Sequence, residues 1–549
     1  MAELTESQKK ELERLRSEHP DYTDMKDEWT FFLLSYEGGS KYISDKTLFR
    51  HQREHPEDFQ DRLKRAYYVN YCQALVDFVP EFIYSQGVSR TPTKDIKPIF
   101  DNFKNNVDRS GTALDAFMEM VAEEARIFGH TWVGVDKPQI PTDEAGTPLS
   151  LARAEQLGLT VPYFYHVRPL EVLDWVTDQF GNYLYMKRKE IYWEAGSRRG
   201  FRRIERYTEW YLDQIVISKI DITDEPNPKL LPKQKLPNAW GLIPFIQFFY
   251  KRGKFNKDFG VSFLNDIAYQ NRAVFNQTSY LEEFLARQCF NVLAMEQGAA
   301  VPTRDRADGR IGTNNVLWIP RDAKHPPEYI SPPIDPAEFI QAERETCIRE
   351  MYRQAAQDIL SEVFGQGVAP SADAQKAAFS RTIPMIAKQA ELMQSGEQSL
   401  WGIWAKLQDM DWADGIIAYR DDYSITNLQD LLLQLSTIFN NLKVLPPTFI
   451  REEWKRVVRE FDGKIPAEQM TQILAEIDKL SDDELVEGYK LADIKATQGV
   501  PSTANLIQGN EQKRLGTDSR IGARQKSRAA TKEANADANR RSSVRSKKS

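Results

Sequence analysis

Cysteine is scarce in this chain, with three in 549 residues, at Cys72, Cys289 and Cys347. An odd number at such wide spacing excludes a disulfide framework and a clustered thiolate metal site. These residues read as small buried hydrophobes in a reducing compartment. Histidine is nearly as sparse, with six, and none forms an H-E-x-x-H pair. His51 and His55 stand four apart and would share a helix face. No third ligand lies near them, so they read as a solvated helix end. Long hydrophobic runs are also missing. The most apolar stretch, Gly241–Tyr250, is ten residues long and is broken by Pro244 and Gln247. A membrane-spanning helix needs ~20 apolar residues, so no membrane partner is expected. Met1–Arg16 is polar and charged, which predicts no secretory signal and a chain made in the cytoplasm.

Catalytic patterns are equally thin. No G-x-x-x-x-G-K-[ST] is present, and Gly38-Gly-Ser-Lys41 lacks the spacing to cradle a triphosphate. There is no Gly-x-Ser-x-Gly elbow, and Gly365-Gln-Gly367 lacks the preceding strand of a dinucleotide fingerprint. Asp221–Asp224 and Asp421-Asp422 read as turn residues or caps. The expectation is a protein with no enzymatic activity, no cofactor and no catalytic or metal residues. Tyr67, Tyr68, Tyr71, Phe78 and Phe82, and further on Trp401 and Trp404, recur at helical spacing. They read as packing surfaces; a base-stacking platform would need neighbouring Arg or Lys.

What is present begins with charge. The formal net charge of −7 hides two populations. Residues 511–549 hold 12 basic and 4 acidic residues, a tail of +8, which leaves −15 on the rest. A body this acidic repels duplex DNA and does not wrap it. The length suits roughly three or four domains. Beyond Pro501 no apolar face can be drawn, so the Arg-, Lys- and Ser-rich tail is expected to be disordered.

Apolar spacing of three and four predicts one helical face over Phe59–Tyr84, and another helix over Ala113–Phe128 closed by Gly129. From there the period changes to two. Thr131–Asp136, Val161–Trp175, Tyr183–Trp193, Ile204–Ser218 and Ile243–Tyr250 predict an antiparallel meander packed on the helices, an α+β arrangement. Ser262–Cys289 then reads as a long helix striped by Leu264, Ile267, Asn271, Val274, Thr278, Leu281 and Leu285. A compact excursion of short strands follows in Asn291–Pro333. A second long helix opens at Asp335-Pro336, where Glu338 suggests a capping box. After a loop of small residues a third long helix is expected over Asp373–Leu407, kinked at Pro384. Shorter helices follow at Leu428–Leu442, Pro447–Phe461, Ala467–Lys479 and Asp482–Ala496, with Thr448 and Ser481 as caps.

Four phrases, taken in order, resemble the portal proteins of tailed bacteriophages. They are Ala66–Asp77 (AYYVNYCQALVD), Phe128–Asp136 (FGHTWVGVD), Tyr165–Trp175 (YHVRPLEVLDW) and Phe259–Asp266 (FGVSFLND). The likeness spans about residues 60–410. It implies an α+β portal-type fold: an N-terminal charged helical region (1–60), a helix–sheet wing (61–259), a stem helix (260–289), a β clip (290–334) and a second stem helix (335–363). A tunnel loop (364–372), a kinked wing helix (373–424), a helical crown (425–500) and a disordered basic tail (501–549) would follow.

The resemblance further implies a ring, typically a dodecamer, at one capsid vertex of a virion assembled in the host cytoplasm. Such a ring passes double-stranded DNA during packaging and ejection. Its partners would be terminase, the major capsid and scaffold proteins, and a head-completion adaptor. Residues 335–363 carry seven acids against three arginines, so Glu338 and Glu345 are channel candidates. Lys376 and Arg381 are the nearest cations to touch phosphate. Arg304, Arg306 and Arg310 in the clip are candidates for docking the motor or adaptor. Two other classes stay open: another virion structural protein (a minor capsid or internal protein), or a DNA-processing enzyme of the packaging machinery.

Overall fold

Why the period-two segments and the helical stripes separate into layers is visible in the computed structural model. It describes residues 5–85, 87–138, 150–195, 200–224, 228–254, 256–289, 292–296, 316–319, 328–330, 334–356, 379–420, 423, 446–459, 467–482 and 484. The chain is α+β and divides into two units, 1–425 and 426–549.

The first unit opens with α1 (Glu6–Arg16), α2 (Pro20–Glu37), the single turn α3 (Gly39–Tyr42), α4 (Pro56–Arg65) and α5 (Tyr71–Ser85). The face expected over Phe59–Tyr84 is thus two helices. Ala66 turns extended, and Asn70 accepts a hydrogen bond from the Gln73 amide at 3.0 Å to restart the next helix. Of the aromatics on this stretch, Tyr67 is exposed, and Phe78 and Phe82 are half-buried. After β1 (Ser89–Thr91) come α6 (Lys97–Phe103) and α7 (Leu114–Phe128). Gly129 ends α7 in the left-handed region, φ +88°, as the sequence predicts.

The strands form two antiparallel sheets where one meander was expected. β2 (His130–Asp136) sits between β3 (Tyr163–Val167) and β10 (Phe245–Phe249). The other sheet runs in order through β4 (Val172–Thr177), β5 (Tyr183–Ala195), β6 (Phe201–Tyr211), β7 (Gln214–Asp221) and β8 (Lys229–Leu230). β9 (Gln234–Pro237) also pairs with β7. The split falls at Pro169, which turns the segment Val161–Trp175 through a 3-10 turn and sends β3 and β4 to different sheets. A short helix, α8 (Leu151–Gln156), precedes β3.

α1 lies across the larger sheet and is pinned to it by charge. Arg14 meets Glu209 at 2.7 Å, Arg16 meets Glu205 at 3.1 Å, and the Lys187 ammonium donates to the Ser17 carbonyl at 2.7 Å. Leu15, Tyr22, Trp29 and Phe32 enter the main core with Trp132, Trp175 and Phe259, so the charged N-terminal residues belong to this core. A second core gathers Phe100, Phe103, Phe117 and Phe164 around Trp401, Trp404 and Trp412.

Next come α9 (Leu264–Cys289), the strands β11 (Val292–Glu296), β12 (Val316–Ile319) and β13 (Glu328–Ile330), and α10 (Asp335–Gln354). β11 lies between the other two, parallel to β12 and antiparallel to β13. No side chain caps α10: Ile334 holds the cap position and Pro336 the first turn, so the capping box expected there is not formed. α11 (Ile383–Lys406) carries Pro384 in its first turn, where the missing N–H costs nothing. Pro384 therefore starts this helix and does not kink it. β14 (Ile416–Ala418) returns to pair with β1.

In the second unit α12 (Pro447–Arg459) and α13 (Ala467–Lys479) pack on one another, linked by Lys455–Asp478 at 2.5 Å. Thr448 lies inside α12. Ser481 and Glu484 cap one another reciprocally, with Ser481 taking the cap role expected of it. The helices expected at Leu428–Leu442 and beyond Glu484, and the basic tail, lie outside the described residues.

Two histidines set a pH dependence. Burial pushes His130 and His166 down to about 3, Arg168 and Arg188 adding to the effect at His166, so both are neutral in the folded chain. Unfolded, each takes a proton near pH 6.5. Between those values the unfolded chain binds more protons, so stability falls as pH drops below 6.5, by about 1.4 kcal/mol per pH unit for each histidine. Urea titrations from pH 7 to pH 5 are expected to show this slope, and His130→Asn to reduce it.

Candidate functional site

The feature that stands out chemically is a pair of long helices, α9 and α10, packed together with the small sheet β11–β13 between them in sequence. Twenty-six residues give α9 a length of about 39 Å. Its root is buried: Leu264, Ile267, Ala268, Asn271, Val274 and Phe275 all lie in the body of the chain. Met351 and Tyr352, at the far end of α10 in sequence, join the same core. The two helices therefore run antiparallel from a shared root. Away from it, apolar side chains are exposed among the described residues: Leu285 on α9, Phe339 on α10, and Ile334 just before it.

Sequence order explains how the root of α9 is built. Ser262 donates to the Ile127 carbonyl at 2.6 Å and accepts from the Leu264 amide at 2.9 Å, which starts the helix. The Gly260 amide donates to His130 Nδ1 at 3.2 Å. The phrases Phe128–Asp136 and Phe259–Asp266 thus meet in space. Arg126 lies beneath them, fully buried, its guanidinium 3.8 Å from the centre of the Phe263 ring. It donates to Gln389 Oε1 at 2.9 Å and to the Leu75 carbonyl at 3.2 Å. Burial pushes its pKa down to about 10, which leaves it charged at neutral pH. It ties α5, α7 and α11 to the base of α9.

A second brace was missed in the sequence. Asn276 on α9 accepts from the Phe49 amide at 2.8 Å and donates to the Thr47 carbonyl at 2.9 Å. Arg62, itself buried, pairs with Glu54 at 2.7 Å and donates to Ser279 at 3.1 Å. Arg65 meets Glu283 at 2.6 Å. Asn271, Asn276 and Ser279 are polar residues at helical spacing on a buried face, which is the signal that could have revealed this contact.

Of the sequence candidates, Glu338 and Glu345 lie on α10, both exposed and two turns apart; Glu345 accepts from Gln341 at 3.1 Å. Asp335 and Glu343 are exposed on the same helix. Arg381 is exposed in the turn that leads into α11, where Thr382 Oγ1 donates to the Ala356 carbonyl past the end of α10. It is therefore close to the root, at the opposite end of α10 from Glu338. Lys376, Arg304, Arg306 and Arg310 lie outside the described residues. Among the described residues no group of three or more His, Cys, Asp or Glu is arranged to hold a metal ion, and no helix is long and apolar enough to cross a membrane.

No protein-family model matches this chain, and no curated protein does. Solved structures do. A chain of the virion of a native gene transfer agent particle is 10% identical with a TM-score of 0.36, over 73% of this chain and 93% of that one. A chain of the neck of an empty gene transfer agent particle, computed with C6 symmetry, is 11% identical with a TM-score of 0.38, over 75% and 92%. One from the native neck computed with C12 symmetry is 11% identical with a TM-score of 0.37, over 68% and 86%.

Proposed function

We propose that this chain is a non-enzymatic, portal-type subunit of a tailed, phage-like virion. Copies assemble into a ring at one capsid vertex, and double-stranded DNA passes through it during packaging and ejection. The observation that carries this reading is the helix pair rooted in the core, whose apolar side chains away from the root are exposed among the described residues. Exposed Leu285, Ile334 and Phe339 are what helices look like when their remaining partners are the same helices of neighbouring subunits. The order of phrases resembling portal proteins supports the same reading.

The charge on α10 suits a conduit. Asp335, Glu338, Glu343 and Glu345 repeated around a ring give a surface that repels phosphate, along which DNA slides because it binds weakly. Terminase, the capsid and scaffold proteins and a head-completion adaptor are the partners such a ring requires. Arg304, Arg306 and Arg310 supply cations for the motor or adaptor surface, and Lys376 and Arg381 supply the few that touch DNA.

Negative-stain electron microscopy of the purified chain tests this. Closed rings with a central hole, of a size near twelve subunits, are the expected result. A chain that stays monomeric at high concentration sinks the reading, as does a metal-dependent nuclease or an ATPase activity in the same preparation.

A further inference from the structure

The hairpin of β5 and β6 presents apolar side chains on one face that no described residue covers. Directly opposed pairs on that face are Ile191 with Glu205, Trp193 with Arg203, and Ala195 with Phe201. Nearer the body, the same face carries Lys187, Glu205 and Glu209, where α1 lies across it. Past the reach of α1, Trp193 is 66% exposed, Phe201 71% and Ile191 49%. The other face differs: Glu194 pairs with Arg202 at 3.0 Å and with Lys219 at 3.2 Å, and Arg206 pairs with Glu190. So one face carries a run of ion pairs, and the other carries Ile191, Trp193 and Phe201, with Arg203 directly opposite Trp193. Trp, Phe and Arg at one exposed place are the composition of a protein interface. The hairpin is also basic in an acidic body, with seven basic and three acidic residues in 188–206.

The complementary surface is on the same chain. α5 and α7 pack side by side. Asp77 and Glu81 are four apart on one, and Glu119 and Glu123 four apart on the other. Phe78, Phe82 and Met120 lie half-buried beside them. Tyr36 from α2 donates to Asp77 at 2.8 Å. Three arginines near this face, among the described residues, are engaged elsewhere. Arg126 is buried beneath it, Arg90 holds Glu397 and Asp115, and Arg168 holds Glu124. Burial and the neighbouring carboxylates push Glu123 up to about 7, and raise Asp77 and Glu119 as well. A cation brought to this face from outside relieves that repulsion.

We infer that the β5–β6 hairpin docks on the α5–α7 face of a second copy of this chain. The two surfaces differ, so the contact is head-to-tail, the kind that propagates around a ring and closes it. The inference rests on the ring reading above and names the contact that orders its subunits. Aromatic side chains supply burial, and Arg203 against the acidic helices sets the register.

Sedimentation velocity and negative-stain imaging of four variants test it. Trp193→Ala is expected to raise the concentration needed for half-assembly roughly tenfold or more. Arg203→Glu and Glu81→Lys are each expected to weaken assembly, and the double variant to regain it because the swapped charges meet across the contact. Trp193 and Glu81 are exposed and Arg203 is half-buried at the hairpin, so circular dichroism is expected to match the unaltered chain, and melting of each variant shows whether a loss of assembly comes from the contact or from the fold. Rings undiminished in every variant overturn the inference and assign the hairpin to a different partner, with the ring reading intact. Single variants that weaken assembly without recovery in the double overturn the pairing. An unaltered chain that forms no rings overturns the ring reading, and this contact with it.

Discussion

Gly260→Ala should cost the folded chain about 3 kcal/mol or more, enough to leave much of it insoluble on expression. A Cβ at Gly260 would sit 1.8 Å from the Gly129 carbonyl oxygen and 2.4 Å from its carbon. Both neighbours are backbone, and Gly129 cannot retreat. It ends α7 at φ +88°, and a Cβ there would itself meet the Gly260 carbonyl at 2.4 Å. Relief therefore means parting the α7–β2 corner from the start of α9, which breaks the Gly260–His130 bond and uncovers Arg126. Gly402→Ala is the control. It lies inside α11 with nothing within 4 Å of a new Cβ, so it should stabilise by about 1 kcal/mol. Denaturant midpoints of the two variants check both signs. A Gly260→Ala protein as stable as the original would mean that the corner is looser than described.

Glu397→Ala is expected to lose about 3–5 kcal/mol. Glu397 is fully buried on α11. Its Oε1 accepts from Arg90 Nε at 2.5 Å and from the Trp401 indole at 3.1 Å, and its Oε2 accepts from the Tyr419 hydroxyl at 2.7 Å. Tyr84 continues the chain to Tyr419 at 2.9 Å. Removing the carboxylate strands a buried guanidinium whose other acid among the described residues is the exposed Asp115, and takes the acceptor away from the Trp401 indole and the Tyr419 hydroxyl. The β1–β14 ribbon, which carries Arg90, should loosen with it. Replacing both partners by apolar groups, Arg90→Met with Glu397→Leu, should recover most of the loss, since a buried ion pair is often no better than good packing. A double-mutant cycle read from urea midpoints decides. An additive cycle would show that the pair does not act as a unit.

How far the sequence foretold this molecule depended on how local each signal was. α7 and its closing Gly129, the start of α9 at Ser262–Leu264, and the short strands β11 and β12 were legible, because capping and periodicity act within a few residues. The partition of strands was not. β10 reaches back past the whole larger sheet to pair with β2, and nothing in Phe245–Phe249 encodes that choice. Pro384 reads as a kink when the apolar period runs on through it from Asp373; in a first turn the same residue is a helix start. For the candidate site, Glu338 and Glu345 were visible as part of an acid excess. The brace from Thr47–Arg65 was not, since its Asn276, Arg62 and Ser279 bonds join residues more than two hundred positions apart.

The division of α9 and α10 into a buried root and an exposed remainder has a genetic consequence. Changes at the root, such as those at Gly260, remove the protein and should behave as recessive losses. Changes at Leu285 or Phe339 leave a chain that folds normally. In the proposed ring each such chain would be flanked by two sound ones, so a minority of altered copies would spoil most rings. Alleles of that second kind should act dominantly when both chains are made in one cell.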